Sequence, residues 1–168
     1  CEESQEVCKA FRALGHEAYS CDIQEPSGGH PEWHILGDAL KALNGGTIAT
    51  MDGIGHEVGK RDMLIAHPPC TYLTKAGAVR MRVNGKVVQE RYEKAMAAKE
   101  FFNSFWMADI DRIAIENPTP MHLVQLPPYS QAIQPYEYGH PYSKRTCLWL
   151  KNLPPLIPTK IIAEHTPY

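Results

Sequence analysis

The sequence lacks the features that mark membrane-spanning, secreted and disulfide-stapled proteins. No window approaches the roughly 18 uninterrupted apolar residues of a membrane span, and no charged-then-apolar export signal is present. We therefore expect no membrane partner and a cytoplasmic location. Five cysteines, at positions 1, 8, 21, 70 and 147, form neither tight pairs nor an even set. This pattern predicts reduced thiols, one of which is free for chemistry.

The sequence also has little net charge and no internal repeat or low-complexity tract. A formal charge of −2 argues against a protein that holds nucleic acid by charge alone, so any DNA contact has to be concentrated in a cleft. Hydrophobic residues make up 43% of the chain, which is ordinary for a globular protein with a substantial core. The length fits a single domain over residues 1–168.

What the sequence does contain is an alternation of helix and strand patterns. Amphipathic periodicity predicts helices over Ser4–Leu14 and Val88–Met107. Short apolar runs predict strands near residues 17–21, 47–51, 62–66, 112–115 and 146–150, followed by a Pro-rich extended tail. The alternation predicts an α/β fold with an open, mostly parallel sheet and flanking helices, whose ligands bind beyond the carboxyl ends of the strands.

Three polar side chains follow the ends of predicted strands. Cys70 comes after Pro68-Pro69, which present it on a stiff turn, and a thiolate is the side chain best able to attack an electron-poor carbon near neutral pH. Glu116 offers a carboxyl group that can hydrogen-bond the ring nitrogen and exocyclic amine of a cytosine. Asp22 stands where nucleotide-binding α/β proteins place an acid for ribose hydroxyls, although no Gly-rich loop precedes it.

Each of these side chains also has a purely structural interpretation. A cysteine after a strand is most often a small buried residue, and Glu116 before Asn-Pro or Asp38 after Gly is ordinary turn chemistry. His30, Glu32 and His34 lie in a loop with Gly and Pro, so we predict packing there and no metal site. A basic segment after Cys70 is either a loop over a nucleic-acid backbone or a solvated flexible stretch; its cations are Lys75, Arg80, Arg82, Lys86 and Arg91.

The strand-end residues resemble the motifs of the DNA cytosine-5 methyltransferases, and more closely a compact phage or prophage branch of that family. His67-Pro68-Pro69-Cys70 resembles the Pro-Cys nucleophile motif, and Glu116-Asn117-Pro118 resembles the Glu-Asn motif that holds the base. Cys21-Asp22-Ile23 and Gly37-Asp38-Ala39 are similar to the segments beside the ribose and the adenine of the cofactor. The segment that contains Arg145 matches more loosely.

The resemblance implies a Rossmann-like S-adenosylmethionine-dependent methyltransferase domain without a separate target-recognition domain. It implies that DNA is the substrate, that single-stranded or distorted DNA makes base flipping easier, and that a partner protein or a second copy supplies target recognition. The catalytic residues that the resemblance implies are Cys70, Glu116 and Arg145. The residues that it implies contact the cofactor are Glu3, Ser4, Asp22, Ile23, Asp38, Ala39 and Pro68.

Two other functions stay open at this point. An exocyclic-amine methyltransferase, acting on N4 of cytosine or N6 of adenine, also uses a Pro-Pro dipeptide, but places an aromatic residue directly after it. Here Cys70 holds that position and Tyr72 comes two residues later. The second alternative is a noncatalytic module of the same fold that binds nucleic acid or cofactor.

Overall fold

The computed structural model describes residues 1–168 and contains three α-helices and twelve short strands. The helices are α1 (Glu6–Ala13), α2 (Lys75–Ala78) and α3 (Gln89–Trp106). The strands before α3 are β1 (Ser20–Asp22), β2 (His34–Leu36), β3 (Gly46–Ala49), β4 (Gly55–Val58), β5 (Met63–Ala66), β6 (Arg82–Val83) and β7 (Lys86–Val87). Those after α3 are β8 (Arg112–Pro118), β9 (Gln131–Ile133), β10 (Tyr142–Ser143), β11 (Thr146–Lys151) and β12 (Thr166–Pro167).

The strands form one four-stranded sheet and four two-stranded sheets. In the four-stranded sheet the order is β5-β8-β11-β9, with β5 parallel to β8 and β11 antiparallel to both of its neighbours. Of the small sheets, β1–β2 and β10–β12 are parallel, whereas β3–β4 and β6–β7 are antiparallel. Helix α3 is the crossover that lets β8 return parallel to β5.

The prediction of a Rossmann-like, mostly parallel open sheet with flanking helices is wrong. The strands are short and divided among separate sheets of mixed direction, and α3 is the only long helix. Strand β11 starts where β8 stops, because Thr146 pairs with Pro118, and it must therefore run back along β8. A parallel return would need a crossover long enough to carry the chain to the other end of the sheet.

The two parallel pairs β1–β2 and β5–β8 belong to separate sheets, and β1 and β5 each pair with one strand only. Both strands line a cavity of about 650 Å³, with Tyr19–Cys21 on one side and Met63–Ala66 on the other. The chain near Cys1 also lines this cavity, and the N–H of Glu2 donates to the carbonyl oxygen of Cys21 at 3.1 Å.

Most local predictions are confirmed within one or two residues. The predicted helix over Val88–Met107 is α3, and the apolar runs that start at Asp62, Arg112 and Thr146 are β5, β8 and β11. The first helix begins later than predicted, because Gln5 and not Ser4 precedes its first turn. The predicted extended tail instead folds back, since β12 pairs with β10.

The main core lies between α3 and the four-stranded sheet. The aromatic rings of Phe102 and Trp149 pack edge-to-face at 4.9 Å, and both side chains are fully buried. Ile113 and Ile115 of β8 are buried beside them, on alternate residues as expected for one face of a strand. None of the helices combines the length and the apolar character needed to cross a membrane.

Candidate active site

The carboxyl ends of β5 and β8 bring a histidine and a glutamate side by side. The last register pair of the two parallel strands is Ala66 with Ile115, so the next residues, His67 and Glu116, lie side by side, with Glu116 still paired to Leu148 of β11. Nδ1 of His67 lies 3.4 Å from Oε2 of Glu116. Both side chains are about one-third exposed, which leaves the carboxylate accessible to a ligand.

The loop after β5 holds Cys70 at the surface. Pro68 is buried, whereas Pro69 and Cys70 are exposed. The backbone N–H groups of Leu73 and Thr74 donate to the carbonyl oxygen of Cys70, at 3.0 and 3.2 Å. These bonds close a turn in which Cys70 is exposed. Cys70 is therefore not the small buried residue that a purely structural role would require.

Asn117 ties this loop to β8. Its side chain is 1% exposed, and Nδ2 donates to the carbonyl oxygen of Pro68 at 2.8 Å. Two backbone bonds reinforce the tie, from Met121 N to Leu73 O at 2.7 Å and from Lys75 N to Thr119 O at 3.0 Å. Oδ1 of Asn117 has no hydrogen-bond partner. Cys70 and Glu116 therefore sit on two segments that are fixed to each other.

Arg145 lies at the same edge of the sheet but contacts neither of these residues through a hydrogen bond or an ion pair. It precedes Thr146, which pairs with Pro118 two residues beyond Glu116. Nη2 of the exposed Arg145 donates to the hydroxyl oxygen of Tyr129 at 3.0 Å, and this bond raises the pKa of the guanidinium. The arginine is within the region of the site, oriented by Tyr129.

A second group of predicted residues gathers at the carboxyl ends of β1 and β2. The N–H of Gly37 donates to the carbonyl oxygen of Asp22 at 2.8 Å, which brings Asp38 next to the end of β1. In each aspartate Oδ1 accepts one backbone N–H, from Gln24 at 3.1 Å for Asp22 and from Leu40 at 2.9 Å for Asp38. The other carboxylate oxygens are left without a protein partner.

The segment that contains Glu3 and Ser4 is held against this group by a glutamine that the sequence analysis missed. Gln5 is fully buried; its Nε2 donates to Ser20 Oγ and to His30 O, and its Oε1 accepts from His30 N. Ser20 Oγ in turn lies 2.8 Å from Nδ1 of buried His34. No motif marks a lone glutamine at a helix start, so only the folded chain reveals this role.

The cavity between β1 and β5 is lined by few of the predicted cofactor residues and by none of the predicted catalytic ones. Cys21 and Ala66, which precede Asp22 and His67, both line its wall. Of the predicted cofactor contacts only Ala39 does so. The others lie outside the cavity wall, and the side chain of Ile23 is 78% exposed; they are Glu3, Ser4, Asp22, Ile23, Asp38 and Pro68.

Burial separates the other thiols from that of Cys70. Desolvation raises the pKa of the thiols of Cys8, Cys21 and Cys147. A raised pKa lowers the thiolate fraction near neutral pH and makes these cysteines poor nucleophiles. No group of three or more His, Cys, Asp or Glu side chains is arranged to hold a metal ion.

Comparison with known proteins adds no relationship to this picture. The chain matches no protein-family model, no curated protein and no solved structure. The interpretation of the site therefore depends on its own residues and their geometry.

Proposed function

We propose that the chain transfers a methyl group from S-adenosylmethionine to C5 of cytosine in DNA, with Cys70 as nucleophile and Glu116 as the residue that holds the base. The observation that carries the proposal is an exposed thiol and a partly exposed carboxylate on two segments that the bond from Asn117 to Pro68 joins. A pyrimidine presents an electrophilic carbon and a hydrogen-bonding edge on one small ring. A fixed thiol and carboxylate match these two features.

The residues near β1 and β2 fit the proposed cofactor. Asp22 and Asp38 each keep one carboxylate oxygen free, and carboxylates accept hydrogen bonds from ribose hydroxyls and from an adenine amine. The cofactor supplies a methyl group on a sulfonium, which leaves as a neutral thioether.

In the proposed reaction the Cys70 thiolate adds to C6 of the cytosine, and the electron pair of the C5–C6 double bond moves towards C5. A proton taken up from solvent lies between N3 and one oxygen of the Glu116 carboxyl group, and the other oxygen accepts from the exocyclic amine; both bonds stabilise the ring as charge develops. His67, whose Nδ1 is 3.4 Å from the carboxylate, orients Glu116. C5 then forms its bond to the methyl group and gives its proton to solvent. The electron pair of the C5–H bond restores the C5–C6 double bond, the C6–S bond breaks to release the Cys70 thiolate, and the N3 proton returns to solvent.

The test is covalent trapping on DNA that contains 5-fluorocytosine. Fluorine at C5 cannot leave as a proton does, so after methyl transfer the C6–S bond persists. We expect the chain, incubated with this DNA and S-adenosylmethionine, to form a denaturation-resistant adduct whose cross-linked peptide contains Cys70. Omitting the cofactor should leave the denatured chain free of DNA.

Two variants complete the experiment. Cys70→Ser should form no adduct and transfer no methyl group, while Cys8→Ala, which removes a buried thiol, should retain both activities. Full methyl transfer by Cys70→Ser would refute the proposal. If mass analysis of the nucleosides then found the methyl group on an exocyclic amine, the chain would be an amine methyltransferase. If calorimetry detected no binding of S-adenosylmethionine, the noncatalytic module would be favoured.

A further inference from the structure

A basic arm, residues 75–88, leaves the site directly after the Cys70 loop. It comprises α2, one 3₁₀ turn and the hairpin β6–β7. Asn84 and Gly85 at the tip both have positive φ, 50° and 77°, as the two-residue turn of a right-twisted hairpin requires. The tip therefore has the backbone of a defined two-residue turn.

The base of the basic arm is anchored at the candidate active site. Gly77 packs so closely on the Cys70 loop that an added Cβ would lie 2.7 Å from the carbonyl oxygen of Thr71. The N–H of Lys75 donates to the carbonyl oxygen of Thr119, just past β8. Met81 is 2% exposed and forms part of the core, and Val88 N donates to its carbonyl oxygen. The arm therefore has a fixed direction relative to Cys70 and Glu116.

The charge of the basic arm differs from that of the rest of the chain. The arm has four cations and no carboxylate, whereas the remaining thirteen Lys and Arg residues are outnumbered by nineteen Asp and Glu. All four cations are exposed and none forms an ion pair. Exposed cations that neutralise no carboxylate of their own chain are free to neutralise phosphates; here they are Lys75, Arg80, Arg82 and Lys86. Nη1 of Arg82 also donates to the carbonyl oxygen of Gly85 at 3.1 Å, which holds this side chain at the tip.

The hairpin presents a cation and an aliphatic side chain on each face. Arg82 pairs with Val87 and Val83 pairs with Lys86, and residues paired directly across an antiparallel ribbon point to the same face. The side chains of Val83 and Val87 are 60% and 38% exposed although both are apolar. A two-stranded ribbon fits the major groove of duplex DNA, where cations on both faces can reach the phosphates of both strands.

We infer that the basic arm binds duplex DNA, with the β6–β7 ribbon lying in a groove and its cations on the phosphate backbone beside the target base. This inference rests on the proposed function for the identity of the substrate. It assigns DNA positioning to an element that carries no catalytic side chain. It also accounts for DNA binding by a chain with a net negative charge, because the positive charge is concentrated where the DNA has to lie.

The test is the salt dependence of binding to a fluorescein-labelled duplex, measured by anisotropy without cofactor. The double variant R82Q/K86Q removes two hairpin cations. It should weaken binding about tenfold at low salt and reduce the slope of log K against log salt by about 2, since each phosphate contact contributes about 0.9. Circular dichroism should be unchanged, because both substituted side chains are exposed.

The matched control is K41Q/K160Q. It removes the same charge outside the basic arm, from two exposed side chains that also form no ion pair, and should keep the wild-type slope. An unchanged slope in R82Q/K86Q, or an equal loss in the control, would overturn the inference. This experiment and the trapping experiment can fail independently. If duplex binding depended on salt and on the basic arm but no adduct were trapped, DNA binding by the arm would be supported and cytosine methylation rejected.

Discussion

At the scale of single residues, Cys70 differs from the other cysteines in its exposure. Cys70 is exposed, whereas Cys8 and Cys147 are 3% and 0% exposed and Cys21 lines the cavity. Attack by a thiolate requires both access and a deprotonated sulfur, and burial removes both from those three residues. Their different exposure leads to a simple chemical prediction.

Limited alkylation of the native protein with iodoacetamide should modify Cys70 first. We expect its rate to exceed that of Cys8, Cys21 and Cys147 by about tenfold or more, because burial limits access and raises their thiol pKa values. Peptide mass spectrometry over a time course measures the order. In urea all the thiols should react at similar rates, and preferential native labelling of Cys147 would contradict the structure.

At the scale of elements, the candidate site depends on how the Cys70 loop is attached to β8. Strand β8 is paired on both sides, by β5 and β11, and so provides a rigid support. The Asn117 side chain is the buried connection between that support and the loop. Its removal should therefore affect both stability and loop mobility.

Asn117→Ala should lower the free energy of unfolding by about 1–3 kcal/mol, because the buried carbonyl of Pro68 loses its donor. It should also accelerate tryptic cleavage after exposed Lys75. Urea unfolding and limited proteolysis measure the two effects. Ser104→Ala, which removes an exposed bond to the carbonyl oxygen of Glu100, is the control and should stay within about 0.5 kcal/mol of wild type. An equal loss of unfolding free energy in both variants would show that the Asn117 side chain does not stabilise the Cys70 loop.

At the scale of the whole molecule, the buried thiols make stability depend on alkaline pH. The pKa values of Cys8, Cys21 and Cys147 are raised in the folded chain by desolvation. Above the ordinary thiol pKa of about 9, the unfolded chain loses protons that the folded chain retains. The free energy of unfolding is therefore unaffected by these groups below this pH and falls as pH rises above it.

Urea unfolding at about pH 8 and about pH 10 should show this fall, and Cys147→Ala should reduce it. The comparison uses the difference between the two pH values within each protein, so the cavity left by the shorter side chain cancels. A variant whose loss matched that of the wild type would exclude Cys147 as a contributor. A larger fall in Cys147→Ala than in the wild type would contradict the sign of the Cys147 shift.

The sequence predicted part of the candidate site. Cys70 and Glu116 followed strong apolar runs, and adjacent parallel strands end at one edge, so the position of their two segments at the same edge of the sheet was predictable once β5 and β8 were paired. The same rule applied to His67 would have predicted its contact with Glu116. The bond from Asn117 to Pro68 joins residues 49 positions apart, and the bonds of Gln5 join residues 15 or more positions apart. No local pattern encodes these bonds.

The sequence by itself determined where α3, β5, β8 and β11 form, because hydrophobic periodicity and breakers act over a few residues. Only the tertiary structure decided which strands pair and in which direction. Pairing depends on where each connection returns the chain: α3 carries β8 to a parallel position, while the connection that ends at Thr146 returns beside Pro118 and makes β11 antiparallel. Sheet direction is thus a property of the whole path of the chain and not of its short segments.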